Sequence, residues 1–393
     1  MNAVTGGFRS WPRVAAALAG LLLGGCSWLP APPTTLNPFA SSASPKVPPL
    51  EEFTPSATLK VDWHGEVGAS EGLGFQPAVV GSSVFAAGRD GTVVRFDDGR
   101  PAWKVRAEGK LSAGVGANAR LAAVATDKGA VIAVDAANGQ VKWTAPINAE
   151  VLAPPAVTDA IVVVRTSDHR LLGLDSATGK QKWIYQRANP PLALRSFAGV
   201  VVDGNVVVAG YPGGKVVAVN LNNGVALMEV TVASPKGATE LERVADVTGL
   251  PVLGRQEICA VAYQGRVGCF EAGSGNTLWS RELSSTVGMD RDSRQVYLTD
   301  DKDGVHALDG STGASAWKQA KFSQRGVTRP MVLGGFVVVA DREGYVHLLQ
   351  KEDGSLAARL RLERSAVVAA PRALGPGMVV QTQAGGIYAL SVQ

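Results

Sequence analysis

An acid, a Gly four residues later and a Trp four residues after that recur along this chain about every 40 residues, and no other property of the sequence restricts its fold so strongly. Clean copies are "VIAVDAANGQVKW" ending at Trp143, "LLGLDSATGKQKW" at Trp183, "VGCFEAGSGNTLW" at Trp279 and "VHALDGSTGASAW" at Trp317. "VVRFDDGRPAW" is a shortened copy at Trp103. "VVAVNLNNGVALM" puts Met228 in the Trp place, "VHLLQKEDGSLAA" puts Ala358 there, and Trp63 in "TLKVDWHGEV" marks an eighth. Successive intervals from 63 to 358 are 40, 40, 40, 45, 51, 38 and 41 residues.

Inside each unit, apolar runs such as "IVVV" (161–164), "VVV" (206–208) and "VVVA" (337–340) precede Gly-bearing turns such as "GRDGT" and "DREGY" and then a second apolar run. Strand, hairpin, strand, turn, strand at this period describes a propeller blade of four strands. The expected fold is all-β: an eight-bladed β-propeller of four-stranded antiparallel blades. The last unit, "GGIYALSVQ", stops before its own Gly and Trp, whereas Trp63 heads the array with no strands before it. The N-terminal strand around 58–66 is therefore expected to complete the last blade, leaving no open sheet edge.

The motif has a structural reading: Gly supplies the turn conformation, the acid accepts turn amides, and the Trp fills the gap between blades. Trp63, Trp103, Trp143, Trp183, Trp279 and Trp317 are taken as blade-docking residues, with a ligand-binding stack as the alternative. The pattern resembles the tryptophan-docking motif of propellers related to the quinoprotein (PQQ) dehydrogenases. Such enzymes carry adjacent cysteines and calcium ligands, and this chain has no adjacent cysteines. His64, His169, His306 and His347 show no metal-ligand spacing, and "DDKDG" (300–304) lacks the later Glu of an EF-hand loop. No catalytic residue, cofactor or metal is expected. A PQQ-dependent dehydrogenase-like enzyme is the alternative. A third reading, binding of cell-wall glycan or another envelope component in the central channel, has no positive feature in the sequence.

The N-terminus reads as a targeting segment. "MNAVTGGFRSWPR" is basic, "VAAALAGLLLGG" (14–25) is apolar but too short to span a bilayer, and Cys26 follows small residues. "LLGGC" resembles the lipobox of bacterial lipoproteins, in which the Cys is lipidated; the alternative is a plain signal peptide. By the same resemblance Ser27, in place of an Asp, implies the outer membrane. The expected organisation is a signal peptide over 1–25, a lipidated Cys26 with a Pro- and Ser-rich linker over 26–57, and the propeller over 58–393. Loss of residues 1–25 removes Arg9 and Arg13, two of the four net positive charges, and no basic run remains to attract nucleic acid. Cys259 and Cys269 flank a Gly turn and are read either as a cross-hairpin disulfide or as two separate buried thiols.

The two long intervals are consecutive, and both excesses fall between a Trp-place residue and the next blade. Such junctions share one face of a propeller, so the insertions should be neighbours. The first contains "ANPPLALRSFAG" (188–199); the second, "SPKGATELERVADVTGLP" (234–251), has Thr239 and Glu242 at capping-box spacing for a short helical turn. Apolar side chains beside Arg and Asp make a protein-binding patch, unless Leu192 and Leu194 merely pack beneath the loop.

With "LALRS" and "ATELERVADV" added to the lipobox, linker and eight blades, the mature chain resembles the BamB family of outer-membrane assembly lipoproteins. The resemblance implies a non-enzymatic scaffold, lipid-anchored on the periplasmic face of the outer membrane. It would bind the POTRA region of BamA and assist folding and insertion of outer-membrane proteins, with unfolded outer-membrane proteins as a further partner. Leu192, Leu194 and Arg195 match the family's contact segment and Asp246 its acidic contact, with Glu242 and Arg243 beside them. Thr248 stands where family members can carry a second Asp.

Overall fold

The computed structural model describes residues 47–393; the signal peptide, Cys26 and the first part of the linker lie outside the described residues. Those described fold into eight four-stranded antiparallel sheets without a helix. Blades 1 to 7 are continuous in sequence, over 78–106, 111–146, 156–185, 201–231, 252–282, 289–319 and 331–361. Blade 8 takes three strands from 372–392 and its outer strand, Leu59–Glu66, from the other end of the chain.

Strand composition follows position in the blade. Middle strands such as Ile161–Arg165 are buried on both faces and read as unbroken apolar runs, while outer strands such as Val141–Pro146 alternate between exposed and buried. The apolar residues do not form one central core. They gather into eight clusters, each between one blade and the next, from the pair of blades 1 and 2 round to blades 8 and 1.

The repeated motif clamps those layers at the rim. In blade 3 the Asp175 carboxylate accepts the amides of Ala177 and Thr178, and Gly179 turns the chain at φ 71°. The Trp143 indole of the preceding blade lies flat on that glycine, where an added Cβ would come within 2.6 Å of the ring, and donates from Nε1 to the Ser176 carbonyl at 2.8 Å. Trp103, Trp183, Trp279 and Trp317 donate in the same way at 2.7 to 3.0 Å. Trp63 stacks on Phe96 and faces Gly99. Met228 covers Gly275 without a donor. At the Ala358 place there is no turn in blade 8 to cover, and the arriving chain fills the space, with Ala57 packed on the cluster that holds Ala358.

Ring closure runs from Leu59 opposite Val392 to Glu66 opposite Gly386, extended by reciprocal backbone hydrogen bonds of 2.9 Å between Thr58 and Gln393. One expectation about edges is corrected. Closure joins the ring, yet the outer strand of every blade has a neighbour on one side only, so eight short edges face outward. Lys104, Lys142, Lys182 and Lys318 stand on them beside their Trp residues, a placement that discourages pairing with another chain.

A second correction concerns the linker. Residues 48–57, expected to be part of an extended tether, lie along the outer strand of blade 7. Ser56 and Ala57 donate backbone N–H to the Ala357 carbonyl, Arg359 donates to the Glu51 carbonyl at 3.1 Å and covers the Phe53 ring at 4.9 Å, and Arg325 donates to the Pro48 carbonyl at 2.8 Å. Cys259 and Cys269 sit directly opposite each other on adjacent strands, Cα atoms 4.0 Å apart, fully buried and joined as a disulfide.

Candidate functional site

Alternating strand direction puts the hairpins between second and third strands on the same face as the junctions between blades. The junctions run from the four residues 107–110 to the long segments 186–200 and 232–251, which carry the two insertions. These two segments are held to each other by a carboxylate. Asp246, 2% exposed, accepts the Leu194 amide at 2.7 Å on one oxygen and the Gly213 amide at 3.0 Å on the other. It thereby links the first insertion, the second insertion and the blade 4 hairpin. Charge-assisted hydrogen bonds of this kind each contribute about 1.5–3 kcal/mol. A second tie runs from Ser196 Oγ to the Thr248 carbonyl at 2.7 Å, and Thr248 Oγ1 passes it on to the Thr286 carbonyl.

Asp246 was expected as an acidic surface contact, and the structure turns it inward. The reason lies in its neighbours: Val244, Ala245 and Val247 are all buried, which carries the aspartate under the loops. Close by, Arg165 is buried too, donating to the Ala198 carbonyl at 3.1 Å and lying 5.6 Å over the Tyr211 ring. Burial holds the Arg165 guanidinium below its ordinary pKa, opposed by the charges of Tyr211 and Asp246. Burial likewise raises the Tyr211 phenol above the usual range.

What the ties present outward is apolar with one free-standing cation. Leu192 is 43% exposed, Phe197 37% and Leu241 70%, and Leu194 is half-buried. Arg195 projects between them and meets Glu150 at 2.7 Å across an exposed ion pair. Neither Phe197 nor Glu150 was singled out from sequence; Phe197 lies two residues beyond Arg195, while Glu150 belongs to another junction and carried no signal.

Glu242 and Arg243 shape their own loop. The capping box forms: Thr239 Oγ1 accepts the Glu242 amide at 3.3 Å, and Glu242 Oε2 accepts the amides of Thr239 and Ala238 at 3.0 and 2.8 Å. These amides hold the Glu242 carboxyl below the usual range. The helix it would start goes no further than one turn, closed by Arg243 N–H to the Thr239 carbonyl, because the buried run Val244 to Val247 must extend into the next blade. Arg243 donates to the Gly237 carbonyl at 3.0 Å and faces Glu240.

The histidines are structural in geometry. His306 and His347 occupy equivalent places, each with Nε2 against the aspartate six residues earlier, at 2.7 Å from Asp300 and 3.1 Å from Asp341. Burial lowers the pKa of both, partly opposed by those aspartates. Among the described residues no group of three or more His, Cys, Asp or Glu is arranged to hold a metal ion.

Comparison with known proteins adds an independent line. A family profile described as outer membrane protein assembly factor BamB matches residues 61–319. The BamB outer membrane protein assembly factor of Bordetella pertussis is 41% identical over 383 residues, covering 96% of each chain. The crystal structure of BamB from Moraxella catarrhalis superposes with a TM-score of 0.79 at 25% identity, over 85% of this chain and 99% of that one. A quinohemoprotein alcohol dehydrogenase from Pseudomonas putida shares the fold alone, with a TM-score of 0.67 at 14% identity over 85% of this chain and 75% of that one.

Proposed function

This chain belongs to the BamB family of outer membrane protein assembly factors, and from that premise we propose that it docks on the periplasmic POTRA region of BamA through its two insertions. Anchored by a lipid on Cys26 at the outer membrane, it acts as a scaffold that assists folding and insertion of outer-membrane proteins. It does so by protein contact, as an assembly factor and not as a dehydrogenase. The observation that carries the docking reading is the bracket at Asp246. Two loops 52 residues apart in sequence are fixed to each other, and what they expose is Leu192, Arg195, Phe197 and Leu241. Apolar anchors beside one arginine on a rigid support are the composition of a protein interface centre.

In this reading Leu192, Leu194 and Arg195 touch the partner, whereas Asp246 acts by holding the loop that presents them. Arg195→Glu reverses the charge at the centre of the patch and leaves every backbone tie in place. Co-purification with BamA from solubilised envelopes is expected to disappear while the purified variant keeps its melting temperature. Undiminished co-purification would remove the first insertion from the interface.

A further inference from the structure

The junctions that carry the docking loops also converge on the ring axis, and there they enclose a cavity of about 410 Å³ continuous with a second of about 220 Å³. The two share Gln76, Pro154, Phe197 and Leu250. The first is walled by apolar groups such as Val287, Val368 and Ala369, a volume and character suited to a small organic ligand.

Its charge is one-sided. The charged residues lining the two cavities are Arg195, Arg329 and Arg372, and no carboxylate lines either. Arg195 is matched by Glu150. Arg329 has only Asp290 within reach, at a long 3.6 Å, and the other oxygen of Asp290 already accepts the Val332 amide at 2.8 Å. The Arg329 Nε is buried and has no hydrogen-bond partner among the described residues. Arg372 is exposed, but on an inner strand that faces the channel and not the outside of the ring. Burial depresses both guanidiniums, and the charge of Arg329 depresses Arg372 further, against the pull of Asp290. A buried unpaired donor and a surplus cation inside apolar walls are costly without an acceptor of opposite charge.

We propose that this axial cavity is a binding site for an organic anion, a carboxylate carried on an apolar body, with Arg329 taking the carboxylate and the junction loops enclosing the rest. The site is separate from the docking reading and is tested on the isolated protein. Isothermal titration of the purified full chain compares phenylbutyrate with phenylbutanol, which has the body without the charge, and with inorganic phosphate, which has the charge without the body. Phenylbutyrate is expected to bind once per chain and both controls about tenfold more weakly or worse. Arg329→Gln should weaken phenylbutyrate about tenfold, and Ala369→Phe, which fills the mouth from a half-buried loop position, should abolish it. Should Arg329→Gln fail to fold, Ala369→Phe decides. Equal affinity for phosphate, unchanged binding to Ala369→Phe, or no binding by the folded chain would each overturn the assignment.

Discussion

On one face of the ring the turn into each outer strand is nearly the same object repeated. In six of them the Gly N–H donates to the carbonyl of the residue four earlier at 2.8 or 2.9 Å. On the other face the junctions range from four residues at 107–110 to the long insertion over 232–251. The uniform face repeats one solution to a packing problem, so each copy is answerable only to its neighbour. The irregular face answers to something outside the ring. If so, stability and docking should respond in opposite order to substitutions on the two faces.

The largest loss of stability is expected from Gly313→Val. Its Cβ would stand 2.4 Å from the Trp279 ring at a φ of 70°, and left-handed strain with overpacking costs about 3 kcal/mol or more. Urea denaturation measures the loss, and the folded remainder should dock normally. Asp246→Ala comes next, at roughly 2 kcal/mol for a lost buried acceptor, and here docking should fail as well. An Asp246→Ala variant that still co-purifies with BamA would separate the bracket from the patch.

Acidification should have a smaller effect. His347 and His306 have folded pKa values below the ordinary 6.5, so the unfolded chain takes up protons first as pH falls. Their contribution is complete above 6.5 and is lost as pH drops from there through the folded values. Urea midpoints should fall between pH 7.5 and 5.5, and His347→Gln should reduce the difference. Smallest of all is Leu241→Ser at a 70% exposed position: stability should stay within about 0.5 kcal/mol, while a weakened association with BamA, read by crosslinking, would bring the second insertion into the interface.

The uniform face was legible because its physics is local. Acid, Gly and Trp occupy fixed offsets, the period counts blades, and the unpaired Trp63 and the short last unit reveal the closure. The irregular face was legible only as excess length. Asp246 could be placed near the patch but not turned inward, since its partners Leu194 and Gly213 lie 52 and 33 residues away in sequence. Arg329, Arg372 and Asp290 meet only because separate blades aim their junctions at one axis, and nothing in their spacing says so. Residues 48–57 were misread because Pro and Ser describe an extended chain equally well when it is free and when it lies against Arg359 and Arg325.

The pairing of Leu59 with Val392 also sets a clock. A chain made from its N-terminus has its first strand waiting beside nothing until the final residues arrive, and no shorter fragment offers that strand a partner. Contacts this distant in sequence must overcome loop-closure entropy before they contribute anything, so the ring snaps shut late and its folding rate is governed by that event. The seven continuous blades can assemble as neighbours appear; the eighth exists only when synthesis is over.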